Sequence, residues 1–344
     1  MSTAATIAIP EFRVYSGTQV RGVLRERRRE VVEAIEAAYV AHGEDETVNP
    51  DSYFLRFPDR SSDRIIALPA TLRPGSGRPA TGLKWISSFP GNVNRGLARA
   101  SALLILNDED TGYPVACMEA AAISATRTAV GAAIGLRELL ADRLEPATIS
   151  LIGTGVINHH VLQYLDLAGV TPRRILLFDR DRGNAAAFIA ALPARLEAEA
   201  SIATSAGEAI AAGEVVVFAT TAAEPHVTDA SLFEHRPIVL HLSLRDLAPE
   251  IVLESHNVVD DVDHCLKAST SLHLAEQRVG HRRFVGHTLP GLLRGHSPPG
   301  DDRPVILSPF GMGILDVAVG DLVHRSLRSG CPPVDGFFFD ATRF

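Results

Sequence analysis

Thr148-Ile149-Ser150-Leu151-Ile152-Gly153-Thr154-Gly155-Val156-Ile157-Asn158 is the run from which the architecture can be read. Its first five residues predict a short strand, because a mostly apolar run without alternation suits a parallel strand buried on both faces. A glycine turn and the start of a helix follow. Gly153 permits a tight turn, and Gly155 lets a pyrophosphate approach the backbone. Thr154, Val156 and Ile157 would surround that phosphate at the helix N-terminus, where the dipole favours negative charge. Asn158 occupies the third fingerprint position, where glycine or alanine is usual, so the motif is imperfect. Taken alone, such a glycine pair is as well explained by a tight turn without a ligand.

The next apolar run, Arg174 to Phe178, strengthens the cofactor reading. It ends in Asp179, 26 residues after Gly153, close to the ~20 residues of dinucleotide-binding fingerprints. A carboxylate there accepts hydrogen bonds from both ribose hydroxyls and repels a 2′-phosphate. NAD is therefore favoured over NADP, a preference moderated by Arg180 and Arg182.

A chain of 344 residues suggests two domains and a sizeable core. A formal net charge of −8 argues against a nucleic-acid partner. No apolar run reaches the ~18 residues of a membrane span. Met1 to Pro10 has neither a basic start nor a long apolar core, so no signal peptide is expected. Cys117, Cys265 and Cys331 are far apart and odd in number, and imply neither a disulfide framework nor a zinc site. The expected location is the cytoplasm. Lys84 and Lys267 are the only lysines in an arginine-rich chain, which draws attention to each.

In chain order, residues 20 to 41 predict an amphipathic helix with Val23, Leu24, Val31, Ile35, Ala38 and Tyr39 on one face. Extended segments follow at 53–57, 64–68, 82–87 and 101–107. They are separated by turns such as Arg73-Pro74-Gly75-Ser76-Gly77 and Phe89-Pro90-Gly91-Asn92, and Val115 to Met118 completes a hairpin. This is the pattern of a mostly antiparallel sheet. Residues 119–141 predict a long helix. Beyond the glycine loop, strands at 175–178, 215–219 and 238–242, a helix at 184–196 and a strand beginning at Val258 give a doubly wound α/β pattern. The tail holds Val305-Ile306-Leu307, a glycine-containing helix start at 309–314 and an aromatic end, Phe337 to Phe339.

Four places outside the glycine loop carry candidate chemistry. Lys84 lies within an apolar strand, where an ammonium needs a carboxylate or polarised carbonyl unless it points to water at a sheet edge. Arg127 lies among small apolar residues and must meet an internal acid or an anionic ligand; Arg56, in Phe54-Leu55-Arg56-Phe57, has a similar setting. Asp246 follows an apolar strand, where doubly wound sheets bind ligands, and could serve as a general base. Its competing role is the N-cap of a helix near Pro249. Asp261, Asp263 and His264 are close together, but without a second cluster they read as caps and surface groups, and no metal is expected.

Together these stretches resemble the ornithine cyclodeaminase/mu-crystallin family. The matching pieces are Gly82-Leu83-Lys84 with Pro90-Gly91-Asn92, Asp110 to Pro114, Arg127-Thr128-Ala129, Gly153-Thr154-Gly155, Ala219-Thr220-Thr221-Ala222, and Asp246 with Pro249-Glu250. Their order and spacing run from about residue 50 to 320. Further runs, among them Trp85 to Pro90, Arg99 to Ala102, Val258 to His264 and Pro309 to Gly313, resemble the branch of the family that forms 2,3-diaminopropionate for siderophores and peptide antibiotics. The resemblance implies a Rossmann-type NAD domain at 131–304. It implies a substrate-binding and dimerisation domain made of 1–130 with 305–344, and a homodimer. It implies an NAD-dependent dehydrogenase acting on the secondary amine of an amino-acid conjugate. Arg56, Lys84, Arg127 and Arg99 would hold carboxylates, Lys84 and Asp246 would serve the chemistry, and Gly153, Thr154, Gly155, Val156, Ile157, Asp179, Arg180, Thr220 and Thr221 would bind NAD. One departure is the absence of the glutamate that ornithine cyclodeaminases carry near Ala67, which weakens a diamine substrate and favours one with more carboxylates. Alternatives are cyclisation of ornithine to proline with release of ammonia, an opine-type or amino-acid dehydrogenase, and a non-catalytic NAD(P)-binding protein.

Overall fold

The computed structural model describes residues 10–73, 75, 78–141, 143–192, 196, 198–300 and 302–338. Met1 to Ile9, residues 74, 76 and 77 of the expected turn, residues 193–195 at the end of the expected helix, and Phe339 lie outside them. The chain divides into a first unit, Met1–Ala34, Asp45–Ser124 and Gly313–Phe344, and a second, Ile35–Glu44 and Ala125–Met312.

The first unit carries strands β1 (Arg13–Tyr15), β2 (Thr47–Val48), β3 (Tyr53–Phe57), β4 (Arg60–Leu72), β5 (Ala80–Ser88), β6 (Ala100–Asn107) and β7 (Pro114–Glu119). Their order is β1-β7-β6-β5-β4-β2, with β3 also on β4. Only β1 pairs in parallel, on β7, and the other pairings are antiparallel. Side chains alternate between faces along each strand. The register Tyr53↔Ala67↔Trp85↔Leu103 puts those four on one face. Leu68, Lys84, Leu104 and Met118 form the adjacent row, on the other. The helix Gly313–Leu327 packs against β4, β5 and β6. Its glycines make the approach possible: a Cβ on Gly320 would lie 2.1 Å from Leu104 Cδ2. This places Asp316, in the helix's first turn, over the Lys84 face.

The second unit is built on β8 (Thr148–Ile152), β9 (Arg174–Phe178), β10 (Glu199–Ile202), β11 (Val215–Phe218), β12 (Ile238–His241), β13 (His256–Val259), β14 (Val285–Thr288) and β15 (Val305–Ser308). All are parallel, in the order β10-β9-β8-β11-β12-β15-β13-β14. β8, β11, β12 and β15 are buried along their whole length, as two-sided burial requires of their apolar sequences. The chain leaves β8 first toward β9 and later returns to its other side with β11. The β8/β11 junction is therefore the topological switch point, where such sheets bind ligands at the carboxyl ends of the strands. This is a Rossmann-type doubly wound sheet, accompanied by the smaller α+β unit.

Three expectations need correction. The tail of the first unit does not begin at residue 305: Val305–Ser308 is inserted between β12 and β13, because a buried Val-Ile-Leu run completes the parallel sheet. The first unit's helix starts at Gly313. The expected helix over 20–41 is two helices, Gly17–Glu26 and Arg28–Gly43, broken at Arg27, which leaves helical geometry at φ −113°. The strand expected to begin at Val258 begins two residues earlier and ends at Val259, as His256–Val259.

Candidate active site

The glycine loop takes its shape from contacts at the switch point. Gly153 has φ +90°, and a Cβ there would lie 2.6 Å from the carbonyl oxygen of Ala219, at the end of β11. The position therefore needs glycine on two counts. Beside Gly155 a Cβ would meet nothing within 4 Å. The helix Val156–Tyr164 begins there without a capping side chain, and Val156 is exposed. Open space before uncapped helix N–H groups is what an incoming phosphate needs. Asn158, the departure from the fingerprint, is buried and donates through Nδ2 to Gly153 O at 2.6 Å. It braces the loop from beneath, a task a third glycine cannot perform.

Asp179 stands at the carboxyl end of β9. Its Oδ2 accepts Thr154 N–H at 2.9 Å and the Thr154 hydroxyl at 2.8 Å, and its Oδ1 accepts Asp181 N–H at 2.9 Å. Burial works against its charge, but these hydrogen bonds and nearby Arg180 hold the carboxyl below its ordinary range. A fixed carboxylate beside the glycine loop fits the ribose of a dinucleotide. The strained glycine turn, the uncapped helix start and the Asp179 carboxylate fit a dinucleotide, and Asn158 departs from the fingerprint. Gly153→Ala should add both a left-handed strain and the clash with Ala219 O, about 1–3 kcal/mol. It is expected to weaken NAD binding at least tenfold by titration calorimetry. Unchanged affinity would remove Gly153 from the loop's function.

Thr220 and Asp246 lie at the same edge of the sheet. The Asp246 carboxylate is fully buried. Its Oδ1 is met by the Thr220 hydroxyl and by His226 Nε2 at 3.2 Å, and its Oδ2 by the Ser243 hydroxyl and by His241 Nε2 at 3.2 Å. Burial opposes ionisation here. The hydrogen bond and charge of His241, with the Ser243 and Thr220 hydroxyls, overcome it and hold the carboxyl well below the usual carboxylate range. The helix Pro249–Leu253 is capped at Ala248 without a side-chain bond, so Asp246 does not take the competing role of helix cap. Thr221 and Arg180 are exposed on the flanking loops.

Arg127, on the helix Ala121–Leu140, lies against Gly311: a Cβ on that glycine, whose φ is +91°, would fall 2.0 Å from Arg127 Nη1. The loop is pinned by Asp260, which accepts Phe310 N–H at 2.9 Å and Gly311 N–H at 2.7 Å. Asp261 caps the short helix Val262–Cys265, accepting His264 N–H at 2.8 Å, and meets His42 Nε2 at 3.1 Å. Asp263 pairs with Arg282.

In the first unit, Lys84 is buried in an interior strand, so the alternative of an edge lysine pointing to water is overturned. Its Nζ lies 2.6 Å from Asp316 Oδ2 and 3.3 Å from Ser124 Oγ. The required carboxylate is internal, and sequence reasoning missed Asp316. A lone acid in the apolar run Gly313-Ile314-Leu315-Asp316-Val317-Ala318 was the available signal. Arg56 is exposed and lies over the Phe54 ring, 5.0 Å to its centroid. Arg99 donates to Ser88 Oγ at 2.8 Å, and burial lowers its pKa from the ordinary arginine value. The register Arg56↔Arg64↔Ser88 continues the Lys84 face. Ala67 faces the other way. The residues that share the Lys84 face on β4 are Ile66 and Leu68, so the missing carboxylate is absent one position to either side as well. A separate cavity of about 690 Å³ in this unit, lined by Arg13, Arg78, Asp108, Asp321, His324 and Arg328 among others, holds none of the expected residues. Among the described residues, no helix is long and apolar enough to cross a membrane, and no group of three or more potential metal ligands converges.

Comparison with known proteins bears on this arrangement. The N-((2S)-2-amino-2-carboxyethyl)-L-glutamate dehydrogenase of Staphylococcus aureus is 29% identical over 306 residues, 86% of this chain and 90% of that protein. The crystal structure of CmnK superposes with a TM-score of 0.81 at 27% identity, covering 96% of this chain and 100% of that one. A Delta(1)-pyrroline-2-carboxylate reductase of Thermococcus litoralis, solved with NADH and L-proline, shares the fold with a TM-score of 0.83 at 22% identity, over 94% and 99% of the two chains. Residues 18–330 match the profile of the ornithine cyclodeaminase/mu-crystallin family, and the chain belongs to that family.

Proposed function

We propose that the protein is an NAD-dependent dehydrogenase that cleaves N-(2-amino-2-carboxyethyl)-L-glutamate to 2-oxoglutarate and L-2,3-diaminopropionate, for a siderophore or peptide antibiotic. The observation that carries this reading is the composition of the Lys84 face. Arg56 and Arg64 lie directly opposite each other, and Arg99 reaches the next position of that row through Ser88. Guanidiniums gathered at one end of a face favour an anionic ligand there. The guanidinium fork matches a carboxylate, and the proposed substrate carries three. Ile66 and Leu68 offer nothing to a distal amine, which counts against ornithine.

Bound NAD+ supplies the hydride acceptor for the α-carbon of the glutamate half. The chain's own residues do the rest. Gly153, Thr154, Gly155, Val156 and Ile157 seat the pyrophosphate, with Arg180, Thr220 and Thr221 at the rim, and Asp179 takes the ribose. Arg56, Arg99 and Arg127 hold carboxylates. Lys84, ion-paired with Asp316, serves the chemistry on the first unit's side. Asp246, with the hydrogen-bonded groups around it, supports the proton transfers that let water add to the imine and the carbinolamine collapse. The exposed apolar row Tyr53, Trp85 and Leu103 on the opposite face of the first unit's sheet is the surface we assign to a homodimer.

Arg99→Gln separates substrate classes. The KM for the tricarboxylate conjugate should rise at least tenfold, while the Kd for NAD stays within twofold. Equal kinetics for variant and wild type would remove Arg99 from substrate binding.

A further inference from the structure

We propose that His226, held by Asp246, is the group that exchanges protons with the reacting atoms. The inference rests on the dehydrogenase reading above and assigns the proton transfer within it to a different residue.

A buried carboxylate can accept about four hydrogen bonds. Both Asp246 oxygens are already engaged, Oδ1 by Thr220 and His226 and Oδ2 by Ser243 and His241. With 0% exposure, Asp246 has no surface to offer a substrate. His226 is different: its side chain is 47% exposed. Its position is fixed by backbone as well as by side chain. The N–H groups of His226 and Val227 both donate to Asp246 O at 2.9 Å, and Ala248 N–H donates to Val227 O at 2.9 Å. The two segments are thus stitched together as a short parallel bridge, Val227 with Leu247. The ring hangs from this bridge at the carboxyl edge of the sheet. Thr220, which touches the same Asp246 oxygen, adjoins the glycine loop: a Cβ on Gly153 would lie 3.5 Å from Thr220 Cα.

A carboxylate on Nε2–H fixes the tautomer and leaves Nδ1 as the base, the logic by which a buried acid orients a catalytic imidazole. Nδ1 takes a proton from water as the water oxygen bonds to the imine carbon. The resulting imidazolium, stabilised by Asp246, returns that proton to the nitrogen. The C–N bond then breaks as the hydroxyl oxygen forms the 2-oxo carbonyl, and the hydroxyl proton is released. The sum is substrate, NAD+ and water giving 2-oxoglutarate, diaminopropionate, NADH and one proton. Asp246 is a positioning residue in this scheme.

The test uses two readouts on the full chain. His226→Gln keeps a donor toward Asp246 but cannot carry a proton. Its kcat should fall at least a hundredfold with the Kd for NAD within twofold, and added imidazole should restore part of the rate. Turnover within twofold of wild type would overturn the proposal, as would a loss that imidazole does not restore. Nitrogen-15 NMR of the ligand-free protein decides independently of substrate. The Nε2–H tautomer of His226, lost in Asp246→Asn, supports the pairing, and the Nδ1–H tautomer overturns it. If the wild type forms no NADH from the conjugate, the substrate reading fails while the NMR result still decides the dyad.

Discussion

Asp246→Asn is expected to lower kcat by at least a hundredfold while the Kd for NAD stays within twofold. The carboxylate lies at the centre of a polar cluster whose other members, Thr220, Ser243, His226 and His241, come from three segments at one edge of the sheet. An amide has nearly the same shape, so the fold should persist. It carries no charge to stabilise an imidazolium and can present an N–H where His226 needs an acceptor. Loss of correct tautomer and charge removes general acid–base assistance, a factor of about 10²–10⁴. Thr220 is the member of the cluster that adjoins the cofactor loop, and its hydroxyl keeps an acceptor in the amide, so NAD binding should be spared. Stopped-flow turnover with calorimetric NAD binding checks the split. A variant that turns over normally would take Asp246 and its histidine out of the mechanism.

Lys84→Met is expected to destabilise the protein by about 3–5 kcal/mol, because removing one partner leaves the other charge buried. Lys84 and Asp316 are both shut away from water, 2.6 Å apart, between β5 and the helix Gly313–Leu327. The double variant Lys84→Met with Asp316→Leu replaces both charges by apolar groups of similar volume and should recover most of that loss. Recovered stability without recovered turnover would show that the pair serves the reaction as well as the fold. Urea midpoints for the two variants and the wild type check this. A Lys84→Met protein as stable as wild type would mean that the pair contributes nothing to the fold.

What could be read in advance was local. Thr148 to Gly155 declared a buried strand and a phosphate-type turn, and the Asp179 carboxylate stands beside that loop. Lys84 announced the need for a partner, because an ammonium in an apolar strand cannot stand alone. The identity of that partner was not legible: Asp316 lies 232 residues away, and only the packing of a glycine-spaced helix on β5 joins them. His226 was hidden for the same reason. Nothing in Glu224-Pro225-His226-Val227 marks a functional histidine until the bridge to Leu247 sets it on Asp246. Strand order was also invisible. The apolar run at 305–307 reads as a strand anywhere in the chain, and only its register with Ile238 and Asn257 shows that it completes the parallel sheet. The strands Glu199–Ile202 and Val285–Thr288 escaped notice because edge strands carry little apolar pattern. That Ala67 faces away from Lys84 was not legible without the pairing of β4 with β5, since a shift of one residue moves a side chain to the other face.

The most direct measurement is NADH absorbance from purified protein with NAD+ and N-(2-amino-2-carboxyethyl)-L-glutamate, beside a parallel reaction with L-ornithine. One NADH and one 2-oxoglutarate per conjugate consumed, with no proline from ornithine, is the predicted result. Proline and ammonia from ornithine, with no net NADH from the conjugate, would contradict it and place the chain with the cyclodeaminases.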